Sequence, residues 1–161
     1  MTTYLKEDFV FDADLVLEDS LNSAGAVSAI VASQAGTVLD VAKVIDLGDG
    51  VVEGYMIVDI DAILCSAADV LYEIFLQASN VAAFATAGLI RNIAALELGA
   101  GELMTNATAT TGDQGAAGDR YVVPFRNVIN GTVYRYVRVY QELVNGTGET
   151  ITDTIWLSIK R

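Results

Sequence analysis

Histidine is missing from the sequence altogether. With it go the commonest general base, the Ser-His and Cys-His nucleophile pairs, and nearly every transition-metal catalytic site. Cysteine occurs once, as Cys65, so neither a disulfide within the chain nor a CxxC metal knuckle can form. It stands in the apolar stretch Ala62-Ile63-Leu64-Cys65-Ser66-Ala67, with no basic neighbour to activate the thiol, and reads as a small core residue. Cations are scarce: 9 Lys+Arg face 21 Asp+Glu, a net charge of −12 and a pI of about 4.1. That is the wrong sign for a protein that coats nucleic-acid phosphates, and no nucleic-acid partner is expected.

No targeting signal is expected either. Met1-Thr2-Thr3-Tyr4-Leu5-Lys6-Glu7-Asp8 is not the basic start of a signal peptide, so the sequons at Asn106, Asn130 and Asn145 are expected to stay unglycosylated. The longest uncharged run, Ser20 to Leu39, is interrupted by Ser, Asn, Gly, Gln and Thr, which would leave many polar groups in lipid. No membrane partner is expected.

What is present is a chain of 161 residues, 53% of them hydrophobic, with a mean hydropathy of +0.43. This suits one folded domain and excludes wholesale disorder. Charge is uneven: residues 1–119 hold 18 acidic and three basic side chains, residues 120–161 three acidic and six basic. An acidic body with a mildly basic end can attract copies of itself or an acidic neighbour, although the same cations could simply lie on solvated strand faces.

The chain reads mostly as strands, and the fold class expected is all-β, an antiparallel β-sandwich or jelly-roll-like domain with long loops and at most one short helix. Phe9, Phe11, Ala13, Leu15 and Leu17 alternate with Asp8, Asp12, Asp14 and Glu18, which predicts a strand with one buried and one acidic face. Ser20 to Gly36 lacks sustained period. Val38 to Leu47 is extended, Asp46-Leu47-Gly48-Asp49-Gly50 supplies a turn, and Val52, Met56, Val58 and Ile60 alternate with Glu53, Asp59 and Asp61, a succession that favours antiparallel pairing. Val70 to Ser79 predicts a strand with Tyr72, Ile74 and Leu76 on one face, 81–98 a loop with one short helix, and Gly99 to Asp119 a long Gly-rich surface loop or arm. Pro124 places the strand Tyr121–Phe125 at a sheet edge or a strand end.

The C-terminal quarter alternates most clearly. Tyr134 to Leu143 and Thr150 to Lys160 predict a directly paired hairpin around Asn145-Gly146-Thr147-Gly148, odd residues inward, with Tyr136 opposite Trp156 on the even face. Tyr134, Tyr136, Arg138, Tyr140 and Trp156 would then form an aromatic face, either packed within the chain or used as a subunit interface.

Other candidate sites are weaker. Asp12/Asp14 and Asp59/Asp61 are Asp-x-Asp pairs, each on one strand face with side chains about 7 Å apart. Neither pair alone supplies the six to eight oxygens of Ca²⁺, so a solvated acidic face is the plainer reading and no metal or other cofactor is expected. Carboxylate pairs are also the raw material of a glycosidase, but too many would qualify in so acidic a chain, and no enzyme is expected. The stretch Gly112-Asp113-Gln114-Gly115-Ala116-Ala117-Gly118 lacks the Lys of a P-loop.

Ile45-Asp46-Leu47-Gly48, a strand ending Leu76-Gln77-Ala78-Ser79, then Phe84, a Gly-rich loop, a Pro-bearing strand and Tyr134-Arg135-Tyr136-Val137-Arg138-Val139 follow one another in order. In this succession the chain resembles the small capsid cement (decoration) proteins of tailed bacteriophages, over roughly residues 40–161. The matching elements are the family's "IDLG" turn, "LQxS" strand end and "RYxR" strand. Residues 1–39 depart from the pattern, being longer and richer in Ala and Ser, and read as an N-terminal strand and a segment that could serve as an extended arm; residues 40–161 read as the sandwich domain.

The resemblance implies a homotrimer on the outer capsid surface of the virion, made in the host cytoplasm, with the major capsid protein as its partner. A trimer would hide apolar strand faces between subunits. It would also triple the negative charge, so association should strengthen as salt screens the repulsion. A carbohydrate- or receptor-binding β-sandwich module is the alternative.

Overall fold

The computed structural model of the chain describes residues 11–65, 70–99, 117–146 and 148–159. Most of the expected loop between Gly99 and Asp119, and Phe9 at the start of the predicted first strand, lie outside the described residues. In chain order the strands are β1 (Val16–Glu18), β2 (Gln34–Ala35), β3 (Thr37–Val38), β4 (Val41–Ala42), β5 (Ile45–Asp46), β6 (Glu53–Leu64) and β7 (Leu71–Ser79). They continue with β8 (Arg91–Gly99), β9 (Arg120–Arg126), β10 (Val128–Ile129), β11 (Thr132–Val133), β12 (Tyr136–Val144) and β13 (Thr150–Ile159). Helix among the described residues is limited to two single 3-10 turns, Ala13–Leu15 and Ala87–Leu89.

Two antiparallel sheets make the body. One runs β1-β13-β6-β9; the other runs β2-β12-β7-β8, with β5 also pairing β12. Met56, Val58, Ile60, Ile155 and Leu157 from the first sheet share one buried cluster with Tyr72, Ile74, Leu76, Val137 and Val139 from the second. Each set follows the period-2 alternation that turns one strand face to the core, so the fold is an all-β antiparallel sandwich. Cys65 is buried in the same core. β9 is an edge strand, and Pro124 stands in it. An edge is where a residue without an amide hydrogen interrupts the ladder least. Residues 16–38 belong to the body: β1 pairs β13, β2 pairs β12, and Leu17 and Ile30 are core residues.

Turn chemistry explains the two minor hairpins. β10 and β11 are joined by Asn130-Gly131, both at positive φ, a two-residue turn whose twist matches the flanking strands. β3 and β4 are joined by Leu39 and Asp40, again both at positive φ. Leucine is an uncommon choice there, and the Asp19 carboxylate accepts the Leu39 N–H at 3.1 Å.

Five expectations are corrected. β12 and β13 do not pair with each other: β12 pairs β7, β2 and β5, while β13 pairs β6 and β1. The connection around Asn145-Gly146 carries the chain from one sheet to the other. Odd residues do point inward on both strands, as expected, but against different neighbours. The Asp46–Gly50 turn likewise leads from β5 in one sheet to β6 in the other, not between paired strands.

The described part of the predicted strand Phe9–Leu17 instead holds a 3-10 turn over Ala13–Leu15, whose start Asp12 caps by accepting the Asp14 N–H at 3.0 Å, followed by the short β1. Glu18, expected on a solvated face, is buried and accepts backbone N–H groups of Ser20 at 2.7 Å and Thr37 at 2.8 Å. Finally, residues 91–99, expected to be loop, form β8 and pair β7.

Candidate functional site

An aromatic strip lies on the outer face of the five-stranded sheet. β12 places Tyr136, Arg138, Tyr140 and Glu142 on that face because Val137, Val139 and Gln141 are drawn into the core. Tyr136, Arg138 and Tyr140 are half-buried. Cross-strand partners extend the strip: Arg138 stands opposite Gln77, Tyr140 opposite Phe75, and Glu142 opposite Glu73. β8 continues the rows with Asn92, Ala95 and Glu97. The face therefore carries an aromatic row, Tyr140–Phe75, beside a row of three carboxylates, Glu142, Glu73 and Glu97.

Like charges directly opposite each other on adjacent strands disfavour the sheet, each by a few tenths of a kcal/mol up to about 1. Adjacent strands are about 4.8 Å apart, which spreads the three carboxylates across the face. No three acidic side chains among the described residues are close enough to hold a metal ion.

The arginines of the strip are held in place. Arg138 Nε donates to Gln77 Oε1 at 3.0 Å, and its guanidinium lies 4.6 Å from the Phe84 ring centre and 5.7 Å from that of Tyr140. Burial lowers its pKa from the ordinary arginine value, partly offset by Tyr140. Arg135, at the entry to β12, clamps Asp46 with two bonds, Nε to Oδ1 at 2.8 Å and Nη2 to Oδ2 at 2.7 Å, and reaches Asp49 at 3.2 Å. Its guanidinium lies 5.3 Å from the Tyr136 ring centre. The hydrogen bonds from Arg135 hold the Asp46 carboxyl below the usual range, helped by the Gly48 N–H.

Tyr134 lines a surface depression of about 180 Å³ with Asn80, Val81, Leu89, Arg91 and Thr132. Pockets for drug-sized ligands hold roughly 300 Å³ or more.

Asn127 was not picked out from the sequence, yet it positions Tyr134. It is fully buried; its Oδ1 accepts the Val52 N–H at 2.8 Å, and its Nδ2 donates to Gly50 O at 3.0 Å and Tyr134 O at 2.9 Å. The Tyr134 N–H returns to Asn127 O at 2.8 Å. One side chain thus ties the Asp46–Gly50 turn and the start of β6 to the approach to β12. The adjacent Asn130-Gly131 turn was the sequence signal that a hairpin, and so a buried bend, lies here.

Trp156 belongs to a different place. It lies on the outer side of the four-stranded sheet, buried with Val16 and Ile57 against Val38 and Tyr55, with Phe11 edge-on at 5.3 Å. Its Nε1–H donates to Asp59 Oδ2 at 3.1 Å, and Arg120 pairs with the same carboxylate, Nη2 to Oδ2 at 2.9 Å. Burial alone would raise the Asp59 pKa, but the hydrogen bonds from Arg120 and Trp156 outweigh it and hold the carboxyl low. The predicted pairing of Tyr136 with Trp156 does not occur.

The Asp-x-Asp pairs are separated as well. Asp12 caps its turn, Asp59 is engaged by Arg120 and Trp156, and Asp61 is exposed at a β-bulge on β6, opposite the Thr152–Asp153 step.

No protein-family model matches the chain, and a search of curated proteins finds no match.

Proposed function

We propose that this chain is a structural virion protein of the capsid-decoration kind. In this reading it binds the outer surface of an icosahedral phage shell as a homotrimer and bridges major capsid protein subunits. The observation that carries the reading is the outer face of β12 and β7. Tyr136, Tyr140 and Phe75 form a half-buried aromatic strip there, with Arg138 fixed between Gln77 and Phe84. Aromatic and arginine side chains on a rigid sheet are what protein interfaces use, since little conformational entropy is lost on docking. The order of motifs shared with phage cement proteins supports the same reading. Burial of Trp156 removes from the strip the indole that a carbohydrate-binding platform would use, which disfavours the alternative.

The mechanism is additive contact area. Each trimer that docks across a capsomer boundary stabilises the shell by mass action, in proportion to occupancy. The experiment is electron microscopy of expanded phage heads with and without the purified chain. Trimeric density on the outer surface is the expected result; bare shells at saturating protein would reject the reading.

A further inference from the structure

Gln141 of β12 and Asp153 of β13 face each other from the inner sides of the two sheets, both buried. Gln141 Nε2 donates to Asp153 Oδ1 at 3.1 Å, a hydrogen bond that crosses the sandwich. The other two atoms of this pair, Gln141 Oε1 and Asp153 Oδ2, have no partner. With the acid ionised both are acceptors, and two buried acceptors without a donor are costly.

One proton removes the conflict. Placed on Asp153 Oδ2, it turns one orphan acceptor into the donor that the other needs. A carboxylic acid and a primary amide then join through two parallel hydrogen bonds, N–H to O in one direction and O–H to O in the other. We propose that Asp153 is held as the neutral acid and that its paired hydrogen bonds with Gln141 form a protonation-dependent clamp between the two sheets.

The surroundings favour the neutral form. The charged groups acting on Asp153 are Glu18, from β1, and Asp61, from β6, and both are acidic. The Asp153 N–H donates to Ser20 Oγ at 2.9 Å, fixing the backbone at the bulge. Burial above all, with Glu18 and Asp61 adding to it, pushes the carboxyl up to about 8 against the hydrogen bonds from Gln141 and Ser20.

The folded-state value lies above the ordinary aspartate value of 3.8, so the clamp contributes in full at low pH and is lost as pH rises through about 8. Deprotonation leaves two acceptors facing each other where the sheets meet. The clamp is independent of the proposed capsid role and holds for the full chain whatever its partner.

The test compares chemical unfolding of the wild type and Asp153→Asn across this range. The asparagine amide can make the same two parallel bonds but cannot titrate. The wild-type unfolding constant should rise about tenfold per pH unit more steeply than that of the variant between about pH 5 and 8, the effect of one proton. Equal slopes would overturn the proposal. Should the variant fail to fold, infrared spectra of the wild type with ¹³C-labelled aspartate decide the matter at about pH 6, two units below the raised value. An isotope-shifted protonated-carboxyl band is the result expected, and a spectrum with only carboxylate bands from aspartate would overturn the clamp.

Discussion

The guanidinium of Arg138 lies 4.6 Å from the centre of the Phe84 ring, so a residue from the β7–β8 connection closes over the outer face of β12. Phe84 is buried although it stands in a loop and at positive φ. Its ring covers a cation that burial already disfavours. Phe84→Ala should therefore cost about 3 kcal/mol, mostly lost burial with a smaller cation–π share. Denaturant titration measures the loss, and hydrogen exchange should rise across the connection. A change near zero would mean that Phe84 does not hold this loop down.

The two aromatic groups should separate stability from association. Trp156→Ala removes a buried indole and its bond to Asp59, and should destabilise the fold by about 3–5 kcal/mol. Tyr136→Ala and Tyr140→Ala remove half-exposed rings and should cost about 1 kcal/mol or less each while weakening self-association at least tenfold. Sedimentation and thermal melts on the same samples distinguish the two classes. Equal loss of association in all three would put Trp156 back at the interface.

Asn127→Ala should be among the most damaging polar substitutions, at about 3 kcal/mol, because it removes from a fully buried position the side chain that partners backbone groups of Val52, Gly50 and Tyr134. Asn127→Asp should restore only the bond from Val52, since a carboxylate cannot donate to the other two carbonyls. Denaturant midpoints should rank wild type above both variants.

Acid should act through different residues from base. Asp59 has a lowered pKa in the folded state, so its contribution is present above the ordinary aspartate value of 3.8 and is lost as pH falls through the folded value. Glu18, raised by burial, has the opposite sign, contributing most at low pH and less as pH climbs. Stability should thus peak in mildly acidic solution. Asp59→Asn should flatten the acid limb by about 1 kcal/mol or less, because Arg120 is largely exposed. An acid limb unchanged in the variant would show that the Arg120–Asp59–Trp156 group is energetically silent.

Much of the fold was legible in period-2 alternation. Tyr72, Ile74 and Leu76 on β7, Val137 and Val139 on β12, and Ile155 and Leu157 on β13 all face the core as the sequence pattern implies. Alternation tells which side of a strand is buried but not which strand lies beside it. That is why the short Asn145-Gly146 connection looked like a hairpin while it joins two sheets. The polar inward residues Gln141 and Asp153 were the available clue, since they meet each other across the core.

β8 was hidden by Arg91, Asn92 and a pair of alanines, and by the register shift opposite Leu76 and Gln77, which breaks its period. Glu18 was hidden because its stabilising partners, Ser20 and Thr37, are backbone amides, which no residue type announces. The strip Tyr136-Arg138-Tyr140 was visible; Phe75 and the Glu142–Glu73–Glu97 row needed the strand register.

The central claim, that the outer face of β12 and β7 joins copies of this chain, is tested most directly by light-scattering mass in solution for the wild type beside the Tyr136→Ala, Tyr140→Ala double variant. The account predicts three copies of the 17.1 kDa chain for the wild type and a shift toward one copy, with the fold intact, for the variant. A wild type that stays a single copy at every concentration and salt level, or a variant that remains trimeric, would contradict it.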